Sequence, residues 1–208
     1  MYSRISKTFK VAVGFSLGIS LVLFLLSYIN SREVVFLWLN KDLGNVADLL
    51  FNFISHLAEG WIWIPYFIFI FGWFKKDAIF ILMNFLISTL LTQIPKNFIW
   101  AKVGRPLASN IAPEQIHTVK GVEMHFWNSF PSGHTATAFT LFLLTVYLFP
   151  KRTVLMIGFL YAIACGYSRI YLGQHFPLDV AGGIIVAIIT LSISIFIRKK
   201  ETHVSKNY

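Results

Sequence analysis

Cysteine is almost absent: Cys165 is the single one among 208 residues. It cannot form an intrachain disulfide, and no cysteine pair offers metal-ligand spacing, which excludes a disulfide framework and a thiolate metal cluster. Surrounded by apolar residues, it reads as a small buried hydrophobe. Charge is scarce as well. Asp, Glu, Lys and Arg make up 13% of the chain, against roughly a quarter in a soluble domain. With 56% hydrophobic residues, 17% aromatic and a mean hydropathy of +0.67, too little polar surface remains to cover a water-facing globule. The net charge of +9 raises nucleic acid as a partner. The cations, however, sit in short clusters between apolar runs rather than along a polar face, which argues against that partner. Repeats, low-complexity tracts and domain boundaries are also missing, and residues 1–208 read as one membrane domain.

What is present is a series of long apolar runs, and a spanning helix needs about 20 such residues. The first run, Val11 to Ile29, follows Arg4, Lys7 and Lys10 as a signal-peptide core would. It is long for that role and no small-x-small cleavage site precedes Asn30, so a retained span is expected. Two more spans are expected at Trp61–Phe74 and Ala78–Ile94, the former starting near Ala58 with interfacial Trp61 and Trp63. Three others follow at Pro131–Phe149, Thr153–Tyr171 and Phe176–Ile197. Between the first two spans, Leu39, Leu43, Val46, Leu50 and Phe53 recur at steps of four and three, while Lys41, Asn45, Asp48 and Asn52 repeat those steps on the other side. This pattern predicts an amphipathic interfacial helix within 33–56. The expected architecture is therefore an all-α bundle of six transmembrane helices plus that interfacial helix, with a loose polar tail from Arg198 to Tyr208.

Six spans place both termini on one side. One set of helix ends carries Arg4, Lys7, Lys10, Lys75, Lys76, Lys151, Arg152, Arg198, Lys199, Lys200 and Lys206, and the other carries Arg32, Lys41, Lys96, Lys102, Arg105, Lys120 and Arg169. The positive-inside rule makes the first set cytoplasmic. In a bacterial inner membrane, the expected location, the second set faces the periplasm.

Three polar segments fall on that outer side. The first runs from Lys96 to Arg105-Pro106. The second is Phe130-Pro131-Ser132-Gly133-His134, where proline at a helix start and exposed Ser132 and Gly133 amides make an anion-binding geometry, with His134 in the same first turn. The third is Ser168-Arg169, five residues, His175, three residues, Asp179. At i, i+4 a carboxylate can orient an imidazole, fix its tautomer and leave the opposite nitrogen free to attack or accept a proton. Asp179 is costly so near hydrocarbon unless paired, which marks it as functional. Arg105 and Arg169 supply planar guanidinium forks suited to phosphoryl oxygens, and Lys96 or Lys102 adds a point charge. Lys41 and Lys120 read as snorkelling anchors.

Lysine, then Arg-Pro, then Pro-Ser-Gly-His, then Ser-Arg-x5-His-x3-Asp resembles the three-part signature of the type-2 phosphatidate phosphatase and vanadium haloperoxidase superfamily. The motifs cover residues 96–179, and the second and third parts match residue for residue. In the first part the family typically places six residues between the lysine and Arg-Pro. Counting back from Arg105 that way lands on Phe98, while Lys96 leaves eight and Lys102 leaves two. A bulge at Lys96 and a different path at Lys102 both stay open. The resemblance implies a membrane lipid phosphate phosphatase in which His175 attacks phosphorus, Asp179 orients it, and His134 protonates the leaving group. Lys96, Arg105, Ser132, Gly133 and Arg169 bind the phosphoryl oxygens. It implies no metal or other cofactor, and partners limited to a lipid phosphate substrate and the surrounding lipids. Substrates of similar membrane enzymes include undecaprenyl diphosphate, lipid A phosphate, phosphatidylglycerol phosphate and phosphatidic acid, and residues Leu107–Trp127 are the expected selectivity element.

Other classes compete. A metal centre could recruit His117, His125, His134 and His175 with Glu114, Glu123 or Asp179, but a divalent cation among so many basic groups is electrostatically unfavourable. A transporter would use Arg169, His175 and Asp179 along a path, although transport sites sit near mid-membrane and these charges cluster at one end. An inactive lipid-binding relative would not need both histidines and the aspartate.

Overall fold

The computed structural model describes residues 5–73 and 75–204. Arg4 and Lys206, and the last four residues of the predicted tail, lie outside the described residues. Among the described residues the fold is entirely helical, with eight α-helices in order: α1 Lys7–Asn30, α2 Arg32–Leu39, α3 Asn45–His56, α4 Trp63–Trp73, α5 Ala78–Ile94, α6 Gly133–Leu148, α7 Arg152–Tyr171 and α8 Pro177–Val204. Four helices are long and apolar enough to cross a membrane: α1, α5 extended to Ile99, α7, and α8 as far as Lys199. The α3 and α4 segments qualify only as a pair bent by 57°, and α6 is a shorter apolar helix.

Helix ends follow local chemistry. Ser6 caps α1 by accepting from the Phe9 amide at 3.0 Å. Ser31, at φ 67°, ends α1 and caps α2 in one residue. Two expectations differ from the structure here. The periodic stretch 33–56 is not one helix: it breaks at Asn40, whose side chain is drawn inward to the carbonyls of Ile170 and Tyr171 and to both backbone groups of His117. The segment from Arg198 continues α8 through Val204 instead of leaving it, because Arg198 pairs with buried Asp77 and lies 4.6 Å over the Phe80 ring.

The packing is inverted relative to a soluble bundle. Along α1 the buried residues are Phe9, Ala12, Ser16, Ser20 and Ser27, while Phe15, Leu21, Val22 and Phe24 are exposed. On α3 the apolar stripe of Val46, Leu50 and Phe53 faces outward, and the Asp48 and Ser55 side faces α7. Small and hydroxylated residues inside let backbones approach and bond, as expected where lipid solvates the large apolar side chains. Ser20, for example, donates across the bundle to the Ala181 carbonyl at 3.0 Å.

Helix α6 is the central strut, buried along most of its length by residues including Phe139, Phe142, Leu143 and Leu144. It meets α8 at Gly182 and Gly183. A Cβ on Gly183 would stand 2.6 Å from the Ser132 carbonyl oxygen and 2.8 Å from the Thr135 Cβ. The two helices can come this close only without a side chain there. Gly183→Ala is therefore expected to cost about 1–3 kcal/mol by overpacking, measured by thermal unfolding in detergent. Gly14→Ala, which meets nothing within 4 Å, should leave the midpoint unchanged or raise it.

Candidate active site

The C-terminus of α7 builds the site by a glycine cap. Gly173 has φ 68°; its amide donates to the Ile170 carbonyl at 3.1 Å, and the Gln174 amide donates to the Arg169 carbonyl at 2.9 Å. These two bonds make a Schellman turn. The His175 amide joins the same Arg169 carbonyl at 3.1 Å, which folds the chain back and sets His175 beside the end of α7. Pro177 then opens α8 at its first position, and Asp179 follows one turn after His175.

Asp179 is 2% exposed, and one oxygen, Oδ2, takes three donors: the Ser129 hydroxyl at 2.5 Å, the Phe176 amide at 2.9 Å and His175 Nδ1 at 3.3 Å. With Nδ1 turned to the carboxylate, Nε2 is left for the cavity that His175 lines. That cavity, about 450 Å³, is also lined by Lys96, Arg105, Gly133, His134 and Arg169. Burial holds the His175 imidazole well below its usual range, helped by the charges of Arg105, Lys96 and Arg169 and then by His134. The ring is thereby kept neutral, the form that carries a nucleophilic lone pair.

Helix α6 starts at Gly133, not at Pro131. Ser132 is the N-cap, its hydroxyl accepting from the Thr135 amide at 3.4 Å and from the Thr135 hydroxyl at 2.9 Å. Its own amide donates to the Asp179 carbonyl at 3.0 Å. Ser132 is fully buried and stands outside the cavity lining, so the exposed amides expected from Ser132 and Gly133 reduce to those at Gly133 and His134. The short strut between Ser132 and Asp179 places both histidines on one cavity.

Lys96 lies in a π-helical turn, Pro95–Ile99, that continues α5 and is closed by the Trp100 amide on the Pro95 carbonyl at 2.7 Å. A π turn accommodates an extra residue in a helix, and this one swings Lys96 inward. A methyl on Gly133 would stand 4.0 Å from Lys96 Nζ. Phe98 is 82% exposed, and Lys102 is exposed outside the lining. Of the two lysines left open by spacing, the cavity contains Lys96.

Arg105 is positioned by paired loop backbones: its amide donates to the Phe126 carbonyl at 2.8 Å, and the Ser129 amide to the Val103 carbonyl at 3.1 Å. Its Nε donates to the Trp127 carbonyl at 3.0 Å and Nη1 to the Gln174 side chain at 3.1 Å. Arg169, 7% exposed, donates Nη1 to the Ser55 hydroxyl on α3, and its buried Nε has no partner among the described residues. Arg169, which lines the cavity, thus keeps one buried guanidinium N–H unpaired among the described residues.

Sequence reading missed Ser55, Ser129 and Gln174. Ser55 had a signal: the polar steps Lys41, Asn45, Asp48, Asn52 continue to Ser55 and Glu59, and Glu59 lines the cavity too. Gln174 and Ser129 had none beyond adjacency to the motifs. Of the alternative metal ligands, His125 lines the cavity. His117 instead approaches Asp42 and Asp48, with ligand atoms within 4.8 Å of one another. There the Asp48 carboxylate is already bonded to the Tyr171 hydroxyl at 2.6 Å and to His117 Nε2 at 3.0 Å. Neither His134 nor His175 belongs to a three-ligand group among the described residues.

The chain is similar to known phosphatases. The undecaprenyl-diphosphatase of Sulfolobus acidocaldarius is 29% identical over 136 residues, 64% of this chain and 62% of that protein. The lipid A 4'-phosphatase of Bacteroides thetaiotaomicron is 31% identical over 146 residues, 64% of this chain and 63% of that protein. The chain thus spans slightly under two thirds of the length of these two relatives. The crystal structure of Aquifex aeolicus LpxE superimposes with a TM-score of 0.65 at 33% identity, covering 77% of this chain and 92% of that one. The family model of the PAP2 superfamily matches residues 77–202, which include every cavity residue of the three motifs, and the chain belongs to that superfamily.

Proposed function

We propose that this protein is a metal-independent lipid phosphate phosphatase working through a phosphohistidine on His175. The observation that carries the reading is the imidazole of His175, held at Nδ1 beside the Asp179 carboxylate and facing a cavity ringed by Lys96, Arg105 and Arg169. Nε2 of His175 attacks phosphorus as the bond from phosphorus to the lipid oxygen breaks, and His134, protonated, gives its proton to that oxygen. Water then attacks the phosphohistidine, His134 takes a proton from it, and the phosphorus–nitrogen bond breaks to release phosphate. Lys96, the two guanidinium groups and the Gly133 amide hold the equatorial oxygens throughout. Ser132 acts by fixing the turn that presents Gly133 and His134.

The chain is read as six spans: α1, the segment from Ala58 through α4, then α5, α6, α7 and α8, with α2 and α3 as the amphipathic interfacial element between the first two. Contacts at the end opposite the site support this. Thr8 donates to the Pro150 carbonyl at 3.2 Å, and Arg198 pairs with Asp77, gathering the basic ends of α1, α5, α7 and α8. By the positive-inside rule that end is cytoplasmic, with both termini, and the cavity opens to the periplasm of a bacterial inner membrane. The relatives' activities make an undecaprenyl diphosphate or a lipid A phosphate the first substrates to test, ahead of phosphatidylglycerol phosphate and phosphatidic acid. Within the segment Leu107–Trp127, assigned to selectivity, His125 reaches the cavity.

Purified protein in detergent with EDTA should release phosphate from at least one lipid of this panel; activity lost on chelation and restored by a divalent cation would overturn the metal-independent scheme. His175→Ala should lower kcat by at least about 10³-fold. Lys96→Ala should lower kcat by roughly 10²–10³-fold, as for loss of a transition-state charge donor, while Lys102→Ala stays near wild type. A pH profile tests the charge state. Because the proton affinity of His175 is depressed, the ring stays neutral as pH falls through its ordinary value of 6.5. The acid limb of kcat/KM should therefore lie below pH 6.5, and a limb at or above that value would contradict a neutral nucleophile in the free protein.

A further inference from the structure

Buried carboxylates need donors, but the donors on Asp179 are unevenly placed. All three converge on Oδ2, and the Ser129 hydroxyl at 2.5 Å is closer than His175 Nδ1 at 3.3 Å. The Phe176 amide is fixed by the start of α8 and cannot be varied by a side chain. Ser129 is different. It is fully buried, and it stands in the loop between Arg105 and the start of α6, its amide tied to the Val103 carbonyl at 3.1 Å. A serine here could have bonded any loop carbonyl, yet its hydroxyl is aimed at the carboxylate that orients the nucleophile.

We propose that Ser129 is a positioning residue of the reaction, the first member of a Ser129–Asp179–His175 relay, whose hydroxyl shares Asp179 Oδ2 with the imidazole and so sets how strongly the carboxylate pulls on the ring. This rests on His175 being the nucleophile. A carboxylate oxygen that divides its charge among three donors attracts each less than one serving two. With the hydroxyl present, Asp179 holds the ring in place and keeps its proton on Nδ1 without drawing a second proton onto Nε2. The other charged and titratable groups around the ring come from every neighbouring element: Lys96 from the π turn after α5, Arg105 and His125 from the loop, His134 from α6, Arg169 from α7, Glu59 from the turn after α3, and Arg32 of α2 beside Phe176. The lysine and the guanidinium groups oppose protonation, and the carboxylates favour it, Asp179 by direct contact. Ser129 sets the balance between them.

The test uses the full chain in detergent micelles with isotope-labelled histidine. The ring titration of His175 is followed by NMR, its signal assigned by its loss in His175→Gln. In Ser129→Ala the His175 midpoint is expected to move upward by roughly half a pH unit or more, since a hydrogen bond to a charged group is worth a comparable free energy. The acid limb of kcat/KM should move upward by the same interval, lowering kcat/KM by up to about threefold at a pH on that limb. A midpoint that stays put or moves down overturns the relay, even where kcat falls, because a serine that only supports the fold would not shift the titration. Should Ser129→Ala fail to fold, Ser129→Cys keeps the size with a weak donor and is expected to move the midpoint in the same direction. Wild-type protein that releases phosphate from no lipid would remove the phosphatase reading and still leave the NMR result to decide the relay.

Discussion

Ser132 donates its backbone N–H to the carbonyl of Asp179 at 3.0 Å, and that bond joins the first turns of the two most closely packed helices. Remove it and the two histidines belong to separate helix ends; with it, they share one cavity. Its formation depends on Gly183, which leaves room for the Ser132 carbonyl, and on Gly182, where a Cβ would fall 2.4 Å from the Phe130 ring. The same aspartate offers its backbone to α6 and its side chain to His175. A single residue thus links the spacing of the two helices to the orientation of the His175 ring, which ties the geometry of the cavity to helix packing.

That packing answers to lipid. Where large apolar side chains gain little from leaving lipid for the interior, close approach and interhelical hydrogen bonds must hold the bundle. Serines on α1, the glycine pair on α8 and the inward polar side of α3 serve this need. The arrangement has a chemical consequence, because polar groups turned inward for packing are available to the site. Ser55 is the clearest case. It packs α3 on α7 and, by bonding one end of the Arg169 guanidinium, fixes the plane of the fork that faces the cavity.

The motifs were legible because they depend on local chemistry: Pro177 before Asp179, glycine at 133 and the spacing of His175 to Asp179 are readable from neighbours in the chain. The apolar lengths of α1, α5, α7 and α8 were legible too. What escaped was set by distant partners. The break at Asn40 follows from carbonyls some 130 residues away on α7, which no periodicity in 33–56 could announce. The helical course of residues 198–204 follows from Asp77 across the bundle. Lys96 sits between these cases: the spacing signalled an anomaly, and the cavity contains Lys96 at a π turn that residue types alone do not encode.

The charge of the site is unbalanced by design of its residues. Lys96, Arg105 and Arg169 stand around one buried carboxylate, Asp179, and one partly exposed, Glu59, and the Nε of Arg169 bonds nothing among the described residues. Such an excess is tolerable because the cavity is open to an anion that completes it, and a phosphate dianion brings the missing charge. Its arrival also changes the protons. The cations that, with burial, depress the proton affinity of His175 are screened where phosphoryl oxygens lie among them, and the proton affinity of the cavity rises. Anion binding and proton uptake are then linked, each favouring the other by the same free energy. In the proposed reaction His175 presents Nε2 to phosphorus while its Nδ1 is held by Asp179, which leaves His134 as the place for the proton that the leaving oxygen needs. In this reading the cations keep the proposed nucleophile uncharged, and the substrate itself draws in the acid.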